Sequence, residues 1–136
     1  MYLIALCDDE ERELDRIENF LASYQDKKQE VKYKTDRFFS AEALLRRVRD
    51  EGYMPDILLL DIFMSGKNGI EAAEEVRRLG LDMPIVFLTT SKEYALSAYG
   101  VDAVQYLVKP LDDKRFFHAM DSVMRQIDKS RNNQIV

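Results

Sequence analysis

Ile57-Leu58-Leu59-Leu60-Asp61 is the stretch whose reading decides the fold. Four large aliphatic residues with no polar member suit a strand covered on both faces, the mark of a central strand in a parallel sheet. The run stops at a carboxylate. In an open parallel sheet the ligand crevice lies beyond the carboxyl ends of the strands, which places Asp61 at its mouth. Capping the next turn is the plainer role for an aspartate in that position. What decides between the two is how the other strands end.

Downstream, Asn68 with Glu71 three residues on resembles a capping box, and the apolar positions Ile70, Ala73, Val76 and Leu79 form a helix stopped by Gly80. Pro84 introduces Ile85-Val86-Phe87-Leu88, a second all-apolar strand that ends in Thr89-Thr90-Ser91. A short helix is predicted from Ser91 to Tyr99 with Gly100 at its C′ position. Val104 to Val108 is the fifth strand, ending in Lys109-Pro110. The last helix opens near Asp112 and buries Phe116, Met120, Val123 and Ile127.

Upstream, Leu3 to Leu6 is a short buried strand running into Asp8-Asp9. Leu14, Ile17, Leu21 and Tyr24 then recur at helical spacing. Val31, Tyr33 and Thr35 alternate with Lys32, Lys34 and Asp36, the pattern of a half-exposed edge strand. Ser40 caps a helix that buries Ala41, Leu44, Leu45 and Val48 and closes at Gly52. Strands and helices alternate five times with short loops, so the strands are expected to be parallel with right-handed crossovers. The fold class is α/β: a doubly wound, flavodoxin-like five-stranded sheet of order 2-1-3-4-5 with five helices. Residues 1–128 make one domain, and 129–136 read as a polar tail or the start of a linker.

The composition excludes several classes. A net charge of −5 argues against the domain itself binding nucleic acid, which needs a basic face. No apolar run approaches the roughly 18 residues of a membrane span, and the N-terminus reads as a strand rather than a signal peptide. One cysteine, Cys7, makes no internal disulfide and points to a reducing cytoplasm. Its expected role is to fill space at the end of the first strand. The one histidine, His118, sits between Phe117 and Ala119 with no acid-base partner near it in sequence, and reads as a helix-surface residue.

Asp8 and Asp9 follow the first strand, Asp61 the third, Thr89 the fourth and Lys109 the fifth. Parallel strands bring all of them to one edge, and the switch point between the first and third strands gathers the three carboxylates. Carboxylates that close repel one another unless a cation joins them. A small set of oxygen ligands suits Mg²⁺, which keeps several waters and favours phosphate chemistry. Lys109 and Thr89 offer an ammonium and a hydroxyl for the other oxygens of a phosphoryl group.

Asp8-Asp9, Asp61-Ile62-Phe63-Met64 with Gly69, Thr89 and Lys109-Pro110 resemble the receiver domain of bacterial two-component response regulators. The resemblance covers essentially the whole chain. It implies that Asp61 accepts a phosphoryl group from a sensor histidine kinase, and that Asp8, Asp9, Asp61 and the backbone carbonyl of Phe63 hold Mg²⁺. It assigns Lys109 to the phosphoryl group, Thr89, Thr90 and Tyr106 to the phosphoryl-binding and switch region, and a cis peptide bond to Pro110. Glu93-Tyr94-Ala95-Leu96 and Val104 to Pro110 look most like receivers that precede LytTR-type DNA-binding domains. A receiver of this kind is expected to switch the face formed by the short fourth helix, the fifth strand and the last helix, for homodimerisation or control of transcription through such a DNA-binding domain. The resemblance implies a signalling domain rather than an enzyme beyond its own phosphorylation and dephosphorylation. Ser65 stands where the family usually has proline, which is expected to loosen the loop after Asp61 without touching the chemistry. Thr90 stands where a smaller residue is usual, narrowing access for attacking water.

Two other readings fail on particular residues. A hydrolase of the haloacid dehalogenase type resembles this chain in its nucleophilic aspartate but needs a second aspartate two residues on, where Phe63 stands. A flavodoxin-like electron carrier needs a Ser/Thr/Gly-rich phosphate loop after the first strand, where Asp8-Asp9-Glu10-Glu11 repels phosphate.

Overall fold

The computed structural model describes residues 1–133 as five strands and five helices in alternation: β1 (Tyr2–Cys7), α1 (Glu11–Lys27), β2 (Tyr33–Phe38), α2 (Ala41–Glu51), β3 (Ile57–Leu60), α3 (Gly69–Arg78), β4 (Ile85–Thr89), α4 (Ala95–Gly100), β5 (Gln105–Val108) and α5 (Asp113–Asn133). All four strand pairs are parallel and the order is β2-β1-β3-β4-β5, as the apolar runs implied. β3 lies in the middle, and Ile57 to Leu60 are almost completely buried. Burying each such side chain contributes about 1.5–3 kcal/mol before chain entropy is counted.

The two-residue period of the strands splits the core into two layers. Ile4, Leu6, Ile57, Leu59, Val86 and Leu88 pack on α1 and α5 through Leu14, Ile17, Leu21, Phe116 and Met120. Ala5, Cys7, Leu58, Leu60, Ile85 and Phe87 pack on the opposite face against Leu44 and Val48 of α2, Ala73 and Val76 of α3 and Ala98 of α4. With both faces covered, the β3–β4 centre has no room for a polar side chain until the strands end.

Local chemistry sets the helix ends. The Ser40 hydroxyl accepts from the Ala43 N–H, and Gly52 closes α2 at φ 67°, a left-handed conformation that favours glycine. At α3 the capping box is complete, Asn68 accepting from Glu71 N–H and Glu71 from Asn68 N–H.

α4 differs from the expectation. It has six residues starting at Ala95, because Ser91 accepts from the Glu93 N–H and makes a turn of the preceding residues. Gly100 lies inside the helix, and the left-handed residue is Asp102, at φ 56°. Arg77, at the end of α3, explains where the chain turns. Its guanidinium donates to the carbonyls of Val101 (2.9 Å), Leu81 (3.1 Å) and Met83 (2.9 Å), tying the α4 exit to the loop entering β4. α5 continues to Asn133, so the polar stretch after Asp128 is helical as far as it is described, and residues 134–136 lie outside the described ones. There Arg131 stacks over the Tyr2 ring at 4.8 Å, a cation–π contact available to a polar helix end.

Candidate functional site

Register delivers the acidic residues to one place. Cys7 of β1 pairs with Leu60 of β3, so the next residues, Asp8 and Asp61, emerge side by side. Carboxylate oxygens of Asp8, Asp9 and Asp61 lie within 4.8 Å of one another. Asp8 is 1% exposed and Asp61 8%, whereas Asp9 is open to solvent. Asp61 is anchored from below: its N–H donates to the Cys7 carbonyl, and its Oδ1 accepts from the Ile62 N–H at 2.9 Å.

Burial, then the charge of Asp8, push the Asp61 carboxyl up to about 7, while Lys109 and the Ile62 N–H pull against them. Near neutral pH the site therefore holds more negative charge than its surroundings stabilise. Oxygen-only donors, clustered and under-compensated, fit a hard divalent cation such as Mg²⁺.

The other strand ends close the site. Thr89 pairs with Val108, its carbonyl accepts from the Lys109 N–H at 2.7 Å, and Lys109 then turns over the sheet edge. The Lys109–Pro110 peptide bond is cis. The Lys109 ammonium lies 3.1 Å from Asp8 Oδ2 and 3.3 Å from Glu13 Oε2. Burial alone would lower the pKa of Lys109, but the charges of Asp61, Asp8 and Glu13 outweigh it and hold the group above its ordinary value. Thr89 is fully buried, and its hydroxyl has no hydrogen-bond partner among the described residues. An unpaired buried hydroxyl is costly, so it marks a place where a further acceptor is wanted.

Phe63 is half exposed, two residues past Asp61, its ring edge-on to Tyr94 at 5.4 Å between centroids. The Tyr106 hydroxyl donates to the Ser91 carbonyl, linking β5 to the turn before α4. Thr90 is exposed, on the wall of a groove of about 600 Å³ between α1 and the loop after Lys109. His118 is exposed on α5. Cys7 is fully buried, donates to the Ser40 carbonyl and touches Met64 sulfur at 3.8 Å. Burial and the neighbouring carboxylates push its thiol upward, away from the reactive thiolate form.

Three contacts were not visible in the sequence. Glu13 holds Lys109 from the first turn of α1, a contact for which the sequence carried no signal. The Ser65 N–H donates to Asp9 Oδ2 at 3.0 Å, a bond that a proline there has no hydrogen to make. The departure at Ser65 therefore does reach the acidic cluster, contrary to expectation. Gly69 passes directly beneath Asp61: a Cβ there would lie 2.0 Å from the Asp61 carbonyl oxygen.

The family model for the response regulator receiver domain matches residues 4–121. The chain is 44% identical over 61 residues to the sensory transduction protein LytT of Bacillus subtilis (strain 168), 45% of this chain and 25% of that protein. It is 29% identical over 137 residues to the transcriptional regulatory protein NatR of the same organism, all of this chain and 56% of that one. The chain thus spans about a quarter to a half of the length of these curated relatives. Among solved structures, the response regulatory domain of protein mrkE from Klebsiella pneumoniae superposes with a TM-score of 0.82 at 18% identity, covering 93% of this chain and 98% of that one.

Proposed function

The chain belongs to the response regulator receiver domain family, and from that premise we propose that Asp61 is its phosphoacceptor, served by a sensor histidine kinase in the cytoplasm. The observation that carries this reading is the meeting of three carboxylates within 4.8 Å at the end of the central strands, with Asp61 the one projecting from β3. In the transfer an Asp61 oxygen forms the new P–O bond as the donor's bond to phosphorus breaks. The backbone bond from Ile62 holds that carboxylate in place, so little orientation is lost on reaction.

Asp8, Asp9 and Asp61, with the Phe63 carbonyl, would hold Mg²⁺, which when bound supplies positive charge for the phosphoryl oxygens. Lys109, released from Asp8, supplies a donor to one phosphoryl oxygen. Thr89 supplies another, satisfying a hydroxyl that the resting site leaves unpaired. Thr90, beside them at the mouth, narrows the approach of water to the adduct.

The output is read on the face of α4, β5 and α5. Thr89 ends β4 two residues before Ser91, and Lys109 follows β5, whose Tyr106 is bonded to the Ser91 carbonyl, so their movement is felt there first. α4 exposes Leu96 (83%) and Tyr99 (81%), large apolar groups that a second copy of the domain would cover. Phosphorylation is expected to favour a two-fold dimer through this face, with control of transcription, through a LytTR-type DNA-binding domain, as the outcome.

Acetyl phosphate and Mg²⁺ followed by intact-mass measurement tests the first step. One phosphoryl adduct is expected in the natural protein and none in Asp61→Asn; a full adduct in that variant overturns the assignment. Light scattering with and without beryllofluoride tests the dimer, and an unchanged mass at high protein concentration would exclude it.

A further inference from the structure

Lys109 is the cation that the proposed chemistry needs at Asp61, yet in this structure the ammonium makes its ion pairs elsewhere. It is shared between Asp8, at 3.1 Å, and Glu13, at 3.3 Å. The two carboxylates differ in what becomes of them. Asp8 belongs to the acidic group that would hold the cation, and a bound cation would compete with Lys109 for it. Glu13 lies on α1, outside that group, and nothing in the proposed reaction releases it.

Glu13 is also well held. Its Oε1 accepts from Arg16 at 3.1 Å while Oε2 faces Lys109, so the carboxylate is fixed between two cations. The side chains of Lys109 and Glu13 are 12% and 17% exposed, which leaves their pairing only partly screened by water.

We infer that Glu13 is a positioning residue that competes with the phosphoryl group of Asp61 for Lys109, and so limits how strongly that group is held. The inference rests on the phosphoacceptor reading above. Two effects act in the same direction. Glu13 draws the Lys109 ammonium toward α1, and its charge opposes the arrival of a second anion beside it. Removing the charge while keeping the shape, as in Glu13→Gln, strengthens retention of a phosphoryl group rather than weakening it. A residue that served only to anchor α1 would have no such effect.

The experiment is a beryllofluoride titration of the full chain in excess Mg²⁺, followed by ¹⁹F NMR, for the natural protein, Glu13→Gln, Lys109→Met and the double variant. Urea midpoints establish that each is folded, and Glu13→Ala serves as a second variant. We expect Glu13→Gln to bind about three- to tenfold more tightly, the range set by losing one partly screened ion pair. Most of that gain should disappear in the Lys109→Met background, because the competitor acts through Lys109. Unchanged or weaker binding in both folded Glu13 variants overturns the inference. So does a gain that survives in full without Lys109, since the effect would then be charge repulsion alone. A folded natural protein that binds no beryllofluoride overturns the phosphoacceptor reading itself, a result distinct from either.

Discussion

Asp61→Asn is expected to make the metal-free protein more stable, by an amount that grows with pH. In the folded chain Asp61 titrates at about 7, against an ordinary value of 3.8. A carboxyl with a raised folded value binds more protons folded than unfolded across that window, so stability falls as pH rises through it. The cost is under about 1 kcal/mol near pH 4 and levels off at about 4 kcal/mol near pH 8, from roughly 3 units at about 1.4 kcal/mol each. Asparagine keeps the acceptor for the Ile62 N–H and carries no charge, but burying its amide returns about 1–2 kcal/mol of that gain. The net expectation near pH 8 is a gain of about 2–3 kcal/mol, or roughly 6–9 °C in melting temperature for a domain of this size. Urea unfolding in chelator at about pH 4 and about pH 8 reads it directly, as a difference between variants in which other titrations largely cancel. Saturating Mg²⁺ should narrow the gap by stabilising only the natural protein. A variant no more stable than the natural protein near pH 8, or a gain that does not change with pH, would refute the account of Asp61 as a buried, under-compensated charge.

Three further outcomes follow from the same geometry. Mg²⁺ should raise the melting temperature, by about 1.4 kcal/mol of stability at ten times its Kd; no difference between millimolar Mg²⁺ and chelator, or a difference that survives Asp8→Ala with Asp9→Ala, counts against the three-carboxylate site. Gly69→Ala should cost roughly 3 kcal/mol or more, since its Cβ and the Asp61 carbonyl cannot share the space; a loss under about 1 kcal/mol in the urea midpoint would mean the loop shifts freely. Arg77→Met should cost about 2–4 kcal/mol by stranding the carbonyls of Val101, Leu81 and Met83 and losing the longer bond to Asp102, and hydrogen exchange should speed up across 95–103 ahead of β1 and β3; uniform change across the chain would contradict the local role.

The fold was legible because each buried strand declares itself twice, by its apolar run and by the polar residue that ends it. Ile57 to Leu60 leaves no alternative to a doubly covered strand, and helix faces such as Leu14, Ile17 and Leu21 repeat at a spacing only a helix satisfies. Asp8, Asp61, Thr89 and Lys109 were legible as a group since parallel topology alone assembles them. The contacts among them were not, because side-chain reach is not encoded in topology. Nothing in the spacing of Glu13 and Lys109 says that a carboxylate on α1 meets an ammonium 96 residues later. Ser65 was misjudged for a related reason: the identity of its side chain drew the reading, whereas the backbone N–H makes the bond. Gly100 misled because a glycine near a helix end suggests the reversal, but Arg77 holds the Val101 carbonyl and moves the reversal to Asp102.

The Arg77 clasp gives α4 a fulcrum. At six residues the helix is about 9 Å long, fastened at its exit by the guanidinium and at its entrance by the Tyr106 hydroxyl on Ser91 and the Phe63–Tyr94 contact. A swing of about 10° around the fastened exit carries the entrance about 1.6 Å, taking the length from the helical rise. That is enough to part a hydrogen bond there, while the exit hardly moves. Work done at the sheet edge would be spent on displacement at Ser91 to Leu96, and a partner resting on exposed Gly100 would register almost none of it.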